Sequence, residues 1–233
     1  MPRGFFLIAA IAVALVAGGS FAVVRACDAR RAAELQAQEA KDAAKREPTP
    51  VNPTKLGITA APFSTPKSTW KQGKMPHLYQ TDPQWAYLPY ATGTISKNGC
   101  GPTALSMVYV YLTGKTDLGP VQMCAFADAG NYAPTGSTEW EFMTEGAQSL
   151  GLGSEAIPVT RSSIMQALGA GQPVICVVNP GDFTNIGHFI VLKSIDDRGM
   201  VEVFDPNSPV TSAKRWGIQR IINQTSNCWT FWV

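Results

Sequence analysis

Residues 98–105 are Asn98-Gly99-Cys100-Gly101-Pro102-Thr103-Ala104-Leu105, a turn that carries a cysteine into a helix. Asn-Gly is a typical turn pair, and proline is favoured at the first helical position, where the missing N–H costs nothing. The apolar run continues to Tyr111, and Gly114 is a suitable helix stop. We therefore expect Cys100 at or just before a helix N-terminus, where free N–H groups and the helix dipole stabilise a thiolate.

A reactive thiolate needs a base, and the chain has only two histidines, His77 and His188. His188 begins an apolar, β-branched run that predicts a strand over residues 188–195. A polar turn follows at 196–199, and residues 200–204 predict a second strand. We expect these two strands to pair as an antiparallel hairpin.

The register of this hairpin decides which side chains His188 faces. If residues 197 and 198 form a two-residue loop, His188 lies opposite Asn207 and Asp205 is its diagonal neighbour on the same face. A three-residue loop would put both residues on the other face. The shorter loop gives His188 a carboxylate or amide partner, which fixes the imidazole tautomer and stabilises the imidazolium.

Four motifs occur in a fixed order along the second part of the chain. They are Tyr79-Gln80-Thr81-Asp82-Pro83-Gln84-Trp85-Ala86, Gly99-Cys100-Gly101-Pro102-Thr103, Gly187-His188-Phe189-Ile190-Val191-Leu192 and Asp205-Pro206-Asn207. As an ordered set over roughly residues 75–233, they resemble the papain-like cysteine peptidases of the bacteriocin-processing (double-glycine leader peptidase-like) family. Within that family the chain is most similar to the stand-alone, membrane-anchored branch without a transporter.

The resemblance implies a papain-like fold, hydrolysis of peptide bonds without a cofactor, and a role for each motif. The implied catalytic residues are Cys100 as nucleophile, His188 as general base and acid, Asp205 as orienting residue and Gln80 as oxyanion donor beside the Cys100 N–H. Asn207 is the alternative to Asp205, and Gln84 is the alternative to Gln80. A glutamine amide suits an oxyanion hole because it donates without titrating, and such a donor is typically worth about 3–4 kcal/mol.

The composition is that of a globular chain, with 45% hydrophobic residues and a net charge of +2. Residues 71–233 hold ten Lys/Arg against twelve Asp/Glu and show no basic cluster along the sequence, so no nucleic-acid partner is expected. Dispersed cysteines and two histidines give no metal-site spacing. We expect Cys124, Cys176 and Cys228 to be core or surface thiols, and two of them could pair in an oxidising compartment.

Residues 5–24 form an uncharged run of twenty residues, long enough to cross a hydrocarbon core of about 30 Å. We interpret it as a signal anchor rather than a cleaved signal peptide, because no small-x-small cleavage site follows it. Arg25, Arg30 and Arg31 favour a cytoplasmic domain by the positive-inside rule. The resemblance implies instead that the catalytic domain acts outside the membrane. We therefore expect an extracytoplasmic catalytic domain, or a secreted one if residues 5–24 are cleaved off.

The chain divides into an anchor (1–25), a charged stalk and proline-rich linker (26–70) and a papain-like peptidase domain (71–233). Further helices are expected near 121–129, 137–150 and 161–170, and further strands at 173–179 and 228–233. Helices that precede an antiparallel sheet in this way indicate the α+β class.

Two other functions are compatible with the same residues. Cell-wall amidases and transpeptidases use a similar Cys/His geometry, and the partner would then be a cell-wall peptide. A non-catalytic peptide-binding module is the second alternative. The complete set of Cys, His, Asp and Gln favours a peptidase that acts on a peptide or protein substrate, because a binding module gains nothing from an activated thiol.

Overall fold

The computed structural model describes residues 63–233, together with residues 31 and 38. The predicted membrane anchor, 1–25, and nearly all of the predicted stalk and linker up to residue 62 lie outside the described residues. Within the part of the chain that is described, no helix is both long and apolar enough to cross a membrane.

The described chain folds around one six-stranded antiparallel sheet. Its strands are β3 (Gly153–Ile157), β4 (Val174–Val178), β5 (His188–Ile195), β6 (Met200–Phe204), β7 (Arg215–Gly217) and β8 (Thr225–Trp232). They lie in the order β3-β8-β4-β5-β6-β7. A separate two-stranded sheet joins β1 (Pro89–Tyr90) to β2 (Gly93–Thr94).

The helices occupy both faces of the large sheet. They are α1 (Ile95–Asn98), α2 (Cys100–Thr113), α3 (Pro120–Ala129), α4 (Glu145–Ser149), α5 (Arg161–Gly169), α6 (Pro209–Ser212) and α7 (Ile218–Ile222), with 3₁₀ turns at Lys67–Thr69 and Trp140–Met143. Helices and an antiparallel sheet combine as the α+β class predicts. The helix expected over 137–150 is instead the second 3₁₀ turn followed by the short α4.

Alternate residues of β5 separate the core into two layers. Phe189 and Val191 pack with the α2 and α3 residues on one face. Ile190 and Leu192 pack on the other face with α5 and α7. Because both faces of the central strands are covered, their sequences are continuously apolar rather than alternating.

The α2 helix begins two residues earlier than the proline predicted. Cys100 is its first residue and Pro102 its third. Gly99 is a turn residue as predicted, whereas Asn98 is the last residue of α1. Proline fits here as well as at the first position, because none of the first N–H groups of a helix has an intrahelical partner. The predicted stop is correct: Gly114 takes the left-handed conformation (φ 70°) and its N–H bonds to the carbonyl of Val110.

The hairpin of β5 and β6 closes with a three-residue loop, 197–199, and not with the predicted two-residue loop. On its own, this loop would place Asp205 on the face opposite His188. A β-bulge at Lys193 shifts the pairing by one residue, so the predicted register applies again beyond the bulge. The expected neighbourhood of His188 and Asp205 is therefore present, for a reason that the prediction did not contain.

Candidate active site

Cys100 is half-buried at the start of α2, between two closely packed glycines. A Cβ atom on Gly101 would lie 2.7 Å from the Oγ1 of Thr138, and one on Gly99 would lie 2.5 Å from the carbonyl oxygen of Ile95. Neither glycine has a positive φ, so it is space that requires them. Because both residues are small, the start of the helix can pack closely against Thr138 and against Ile95 of α1. The thiol is positioned by this packing.

His188 is the first residue of β5 and is buried. Its Nε2 lies 2.8 Å from Oδ1 of Asp205, and its ring lies close enough to the side chain of Cys100 for the two groups to interact electrostatically. Because Asp205 engages Nε2, Nδ1 is the ring nitrogen available to the thiol. The structure thus brings the three sequence-predicted residues together, with His188 between Cys100 and Asp205.

The pKa values of the thiol and the imidazole move in the directions of an ion pair. Burial would raise the pKa of Cys100, but the hydrogen bond and charge of His188, with the N–H groups of Phe189 and Gly101, outweigh it and lower that pKa. Burial would likewise lower the pKa of His188, but its bonds to Asp205 and then Cys100 raise that pKa to about 10. Both shifts favour a thiolate beside an imidazolium.

Asp205 is held in place by the short helix that follows it. Its Oδ2 accepts a hydrogen bond from the hydroxyl of Thr211, and its backbone N–H donates to Oγ of Ser212 at 2.9 Å. Oδ1 also accepts a hydrogen bond from the backbone N–H of Asn207 at 2.8 Å. Asn207 itself is exposed. Neither Thr211 nor Ser212 was predicted from the sequence. Their signal is the pair Ser208-Pro209, a helix cap followed by proline at the first helical position.

Gln80 lies on a loop that is fastened to the turn after Asp205. Its backbone N–H donates to the carbonyl of Pro206 at 2.7 Å, and its Nε2 donates to the carbonyl of Ser96 at 2.7 Å. The side chain is 4% exposed, and within the described residues its Oε1 has no hydrogen-bond partner. Gln84, in contrast, is exposed and its amide bonds to Asp82.

Two cavities meet at the thiol and the imidazole. One of about 510 Å³ is lined by Gln80, Ser96, Lys97, Asn207 and the loop 181–187. The other, of about 290 Å³, is lined mainly by residues 136–140 and by Phe189, and Cys100 and His188 line both. Loop 181–187 was not predicted from the sequence to line the site. Together the cavities form a cleft in which an extended chain can lie across the thiol.

Cys124, Cys176 and Cys228 are buried free thiols in the described structure. Cys176 and Cys228 lie opposite each other on β4 and β8. Burial raises the pKa of Cys124, which keeps that thiol protonated and unreactive. Within residues 63–233, no cluster of three or more His, Cys, Asp or Glu side chains could hold a metal ion.

A thiol paired with an imidazole that a buried carboxylate orients, at the centre of an open cleft, defines the class of cysteine hydrolases. The comparisons with known proteins make this class specific. A family model described as the Peptidase_C39 like family matches residues 74–231, more than half of the chain. The protein belongs to this family: it is a cysteine peptidase with a papain-like α+β fold.

Among solved structures, the chain is similar to the peptidase domain of Streptococcus ComA, a bi-functional ABC transporter involved in a quorum sensing pathway. The two are 16% identical, with a TM-score of 0.44, over 62% of this chain and 97% of that chain. No curated protein matches the chain.

Proposed function

We propose that Cys100, His188 and Asp205 are the catalytic triad of this peptidase, and that Gln80 and the Cys100 N–H form its oxyanion hole. The observation that carries the proposal is the buried His188, whose Nε2 lies 2.8 Å from the Asp205 carboxylate and which lines both cavities together with Cys100. Gln80 lines the same cavity, and only one of its two amide N–H groups is needed for the hydrogen bond to Ser96. The second N–H supports the role of Gln80 as an oxyanion donor.

In the acylation step, the thiolate of Cys100 attacks the carbonyl carbon of the scissile peptide bond. The carbonyl oxygen becomes an oxyanion and accepts hydrogen bonds from Gln80 Nε2 and the Cys100 N–H, the first N–H of α2. Such donors stabilise the developing charge because they are already in position before the reaction. The imidazolium of His188 then donates its proton to the leaving amine, and a thioester remains.

In the deacylation step, His188 is neutral and accepts a proton from water, which attacks the thioester. The tetrahedral intermediate collapses, the acid product leaves and the thiolate–imidazolium pair forms again. Asp205 takes no proton in either step. It keeps Nε2 occupied and stabilises the positive charge of the ring.

The experiment incubates the purified full-length protein with a library of unstructured peptides and identifies the products by mass spectrometry. We expect cleaved peptides with the wild type and none with Cys100→Ala. Isolated sacculi are incubated in parallel. Release of cell-wall fragments with all peptides intact would replace this proposal with a peptidoglycan amidase or transpeptidase, and inertness toward both would indicate a non-catalytic module.

We also propose that the peptidase domain works outside the cytoplasmic membrane, tethered by residues 5–24. The length of this uncharged segment supports a membrane tether. The resemblance of the motif set to the bacteriocin-processing peptidases supports the extracytoplasmic side of the membrane. Alkaline phosphatase fused to the C-terminus in a bacterial host should be active, because that enzyme needs an oxidising compartment for its disulfides. An inactive fusion, with a fluorescent fusion of the same chain bright in the cytoplasm, would contradict this location.

A further inference from the structure

A third cavity, of about 550 Å³, lies beside the active-site cleft. Its lining includes the basic residues Lys214, Arg215 and Arg220 and the acidic residue Asp182. Three cations against one carboxylate make it basic, in a domain whose acidic residues outnumber its basic ones. Lys214 and Arg215 are adjacent in the sequence and Arg220 follows five residues later, and the fold adds the distant Asp182 to this group.

Arg220 has a carboxylate partner in the cavity and the other two cations do not, although Arg215 lies opposite Glu202 where β6 pairs with β7. Arg220 forms a two-bond ion pair with Asp182, and its hydrogen bonds lower the pKa of that carboxyl. Neither Lys214 nor Arg215 forms an ion pair with any described residue. Both are exposed, so their charges are available to an anionic ligand.

The cavity also has an apolar side. The Trp216 ring packs on Phe183, with ring centroids 4.6 Å apart, and its indole N–H donates to the carbonyl of Thr211. Val210, on the same lining, is 63% exposed. A ligand that combines negative charges with an apolar group would contact both sides of the cavity.

The basic cavity and the catalytic cleft share structural parts. Asp182 lines both cavities, and Phe183 lines the cleft while it packs on Trp216. Thr211 lines the basic cavity and donates to the carboxylate of Asp205. The basic cavity therefore adjoins the cleft at Asp182.

We infer that the basic cavity is an exosite that binds an acidic segment of the peptide substrate, outside the residues that flank the scissile bond. Carboxylates of the segment lie against Lys214 and Arg215, and an apolar side chain of the segment lies against Trp216 and Val210. The inference rests on the proposed peptidase function, and it adds a preference for substrates that carry acidic and apolar residues together.

The first test measures binding without catalysis. The full-length protein carries Cys100→Ala, and fluorescence anisotropy follows a short fluorescein-labelled peptide of alternating glutamate and leucine. We expect saturable binding that Lys214→Gln with Arg215→Gln weakens about five- to tenfold, as the loss of two exposed charge contacts allows. The matched control, Lys67→Gln with Lys115→Gln, removes the same charge from exposed positions away from the cavity and should leave binding unchanged.

Three results would overturn the inference. They are absence of binding, equal weakening by the control pair, and equal binding of the peptide in which glutamine replaces glutamate. Anionic phospholipid vesicles and free phosphate are tested on the same variants. Binding of either that depends on Lys214 and Arg215, without binding of the acidic peptide, would assign the cavity to that other ligand and also overturn the inference.

The second test measures catalysis, on a peptide that the wild type is found to cleave. We expect an acidic extension of this peptide to lower KM, and the Lys214→Gln, Arg215→Gln variant to lose that advantage with kcat unchanged. A merely structural role of these residues would affect extended and unextended peptides alike. If no peptide is cleaved at all, the peptidase proposal fails, while the binding test still decides whether the cavity captures acidic peptides.

Discussion

In the proposed triad, Asp205 acts on the thiol of Cys100 through His188. Its carboxylate is 1% exposed and is surrounded by donors from its own turn and from α6. The orientation of this carboxylate is therefore fixed by local structure before any substrate binds. The charge state of the imidazole depends on it, because the bond to Asp205 is the largest of the contributions that raise the pKa of His188.

Asp205→Asn keeps the size of the side chain and removes its charge. We expect kcat to fall about a hundredfold or more. The pKa of His188 should fall as well, because burial is then opposed by Cys100 alone, so the alkaline limb of the pH profile of kcat/KM moves to lower pH. Thr211→Val removes the hydrogen bond from the Thr211 hydroxyl to Asp205 and keeps the charge of the carboxylate. It should change kcat and the position of the alkaline limb much less. An unshifted alkaline limb in Asp205→Asn would contradict this role.

The two glutamines of the first motif provide a matched pair for the oxyanion hole. Gln80→Ala should lower kcat by about 10²–10³ with little change in KM, because the donor acts mainly in the transition state. Gln84→Ala removes the same side chain four residues away, where it is exposed, and should leave kcat near the wild-type value. Steady-state kinetics of both variants on one peptide measures the difference, and the reverse order of effects would assign the hole to Gln84.

At the scale of the elements, the site depends on close contact between the start of α2 and the loop that carries Thr138. Gly101→Ala would push a methyl group into the Thr138 side chain. We expect a loss of about 1–3 kcal/mol in the free energy of unfolding, together with slower alkylation of Cys100. Chemical denaturation followed by tryptophan fluorescence measures the stability.

Two further variants separate crowding from a general effect of the methyl group. Gly169→Ala lies in helix α5, where no atom is within 4 Å of the new Cβ, and should stabilise the protein by about 0.4–1 kcal/mol. Gly101→Ala should cost less in a Thr138→Gly background, because the Thr138 Cβ, which would lie 2.8 Å from the new methyl group, is then absent as well. An equal cost in the two backgrounds would show that Thr138 is not the cause.

The elements that could be predicted from the sequence are those with a strong local pattern. The α2 helix, β5 and β6 have apolar runs with clear stops, and their bounds were close to correct. Strand β3 begins Gly153-Ser154-Glu155 and has no such pattern, since its pairing with β8 determines it. The bulge at Lys193 has no local signal either, because it depends on how two strands and their loop fit together.

At the scale of the whole molecule, residues 63–70 belong to the folded structure that surrounds the site. The N–H of Ser64 donates to the buried Asp82 at 2.6 Å, and the Ser64 hydroxyl accepts the N–H of Tyr79 at 3.0 Å. The N–H of Thr65 bonds to the carbonyl of His77. These contacts hold the loop that carries Gln80, although the predicted linker extends to residue 70.

A fragment of residues 63–233 should therefore be more stable than one of residues 71–233. The shorter fragment leaves the buried Asp82 without one of its N–H donors, which typically costs about 1–3 kcal/mol, and it loses Trp70 from the core. Thermal unfolding of the two fragments, with the full-length protein as reference, measures this. Equal melting temperatures would show that residues 63–70 are not part of the folding unit.

The site as a whole was only partly predictable, because it is assembled from distant parts of the chain. Local motifs indicated Cys100, His188, Asp205 and Gln80. Nothing local indicated that Gln80 would be hydrogen-bonded to Pro206, or that Asp182 and Arg220 would line one cavity. Such contacts depend on the packing of the sheet against its helices, and a pattern along the sequence does not contain them.

The most direct test of the central claim is the pH dependence of Cys100 alkylation by iodoacetamide in the full-length protein, read by peptide mass spectrometry. Only the thiolate reacts, so the lowered pKa of Cys100 predicts labelling that stays fast near pH ~6 and slows in His188→Ala. The buried Cys124, Cys176 and Cys228 serve as internal controls and should stay unlabelled. Labelling of Cys100 that follows an ordinary thiol with a pKa of about 8.5, unchanged in His188→Ala, would contradict the account.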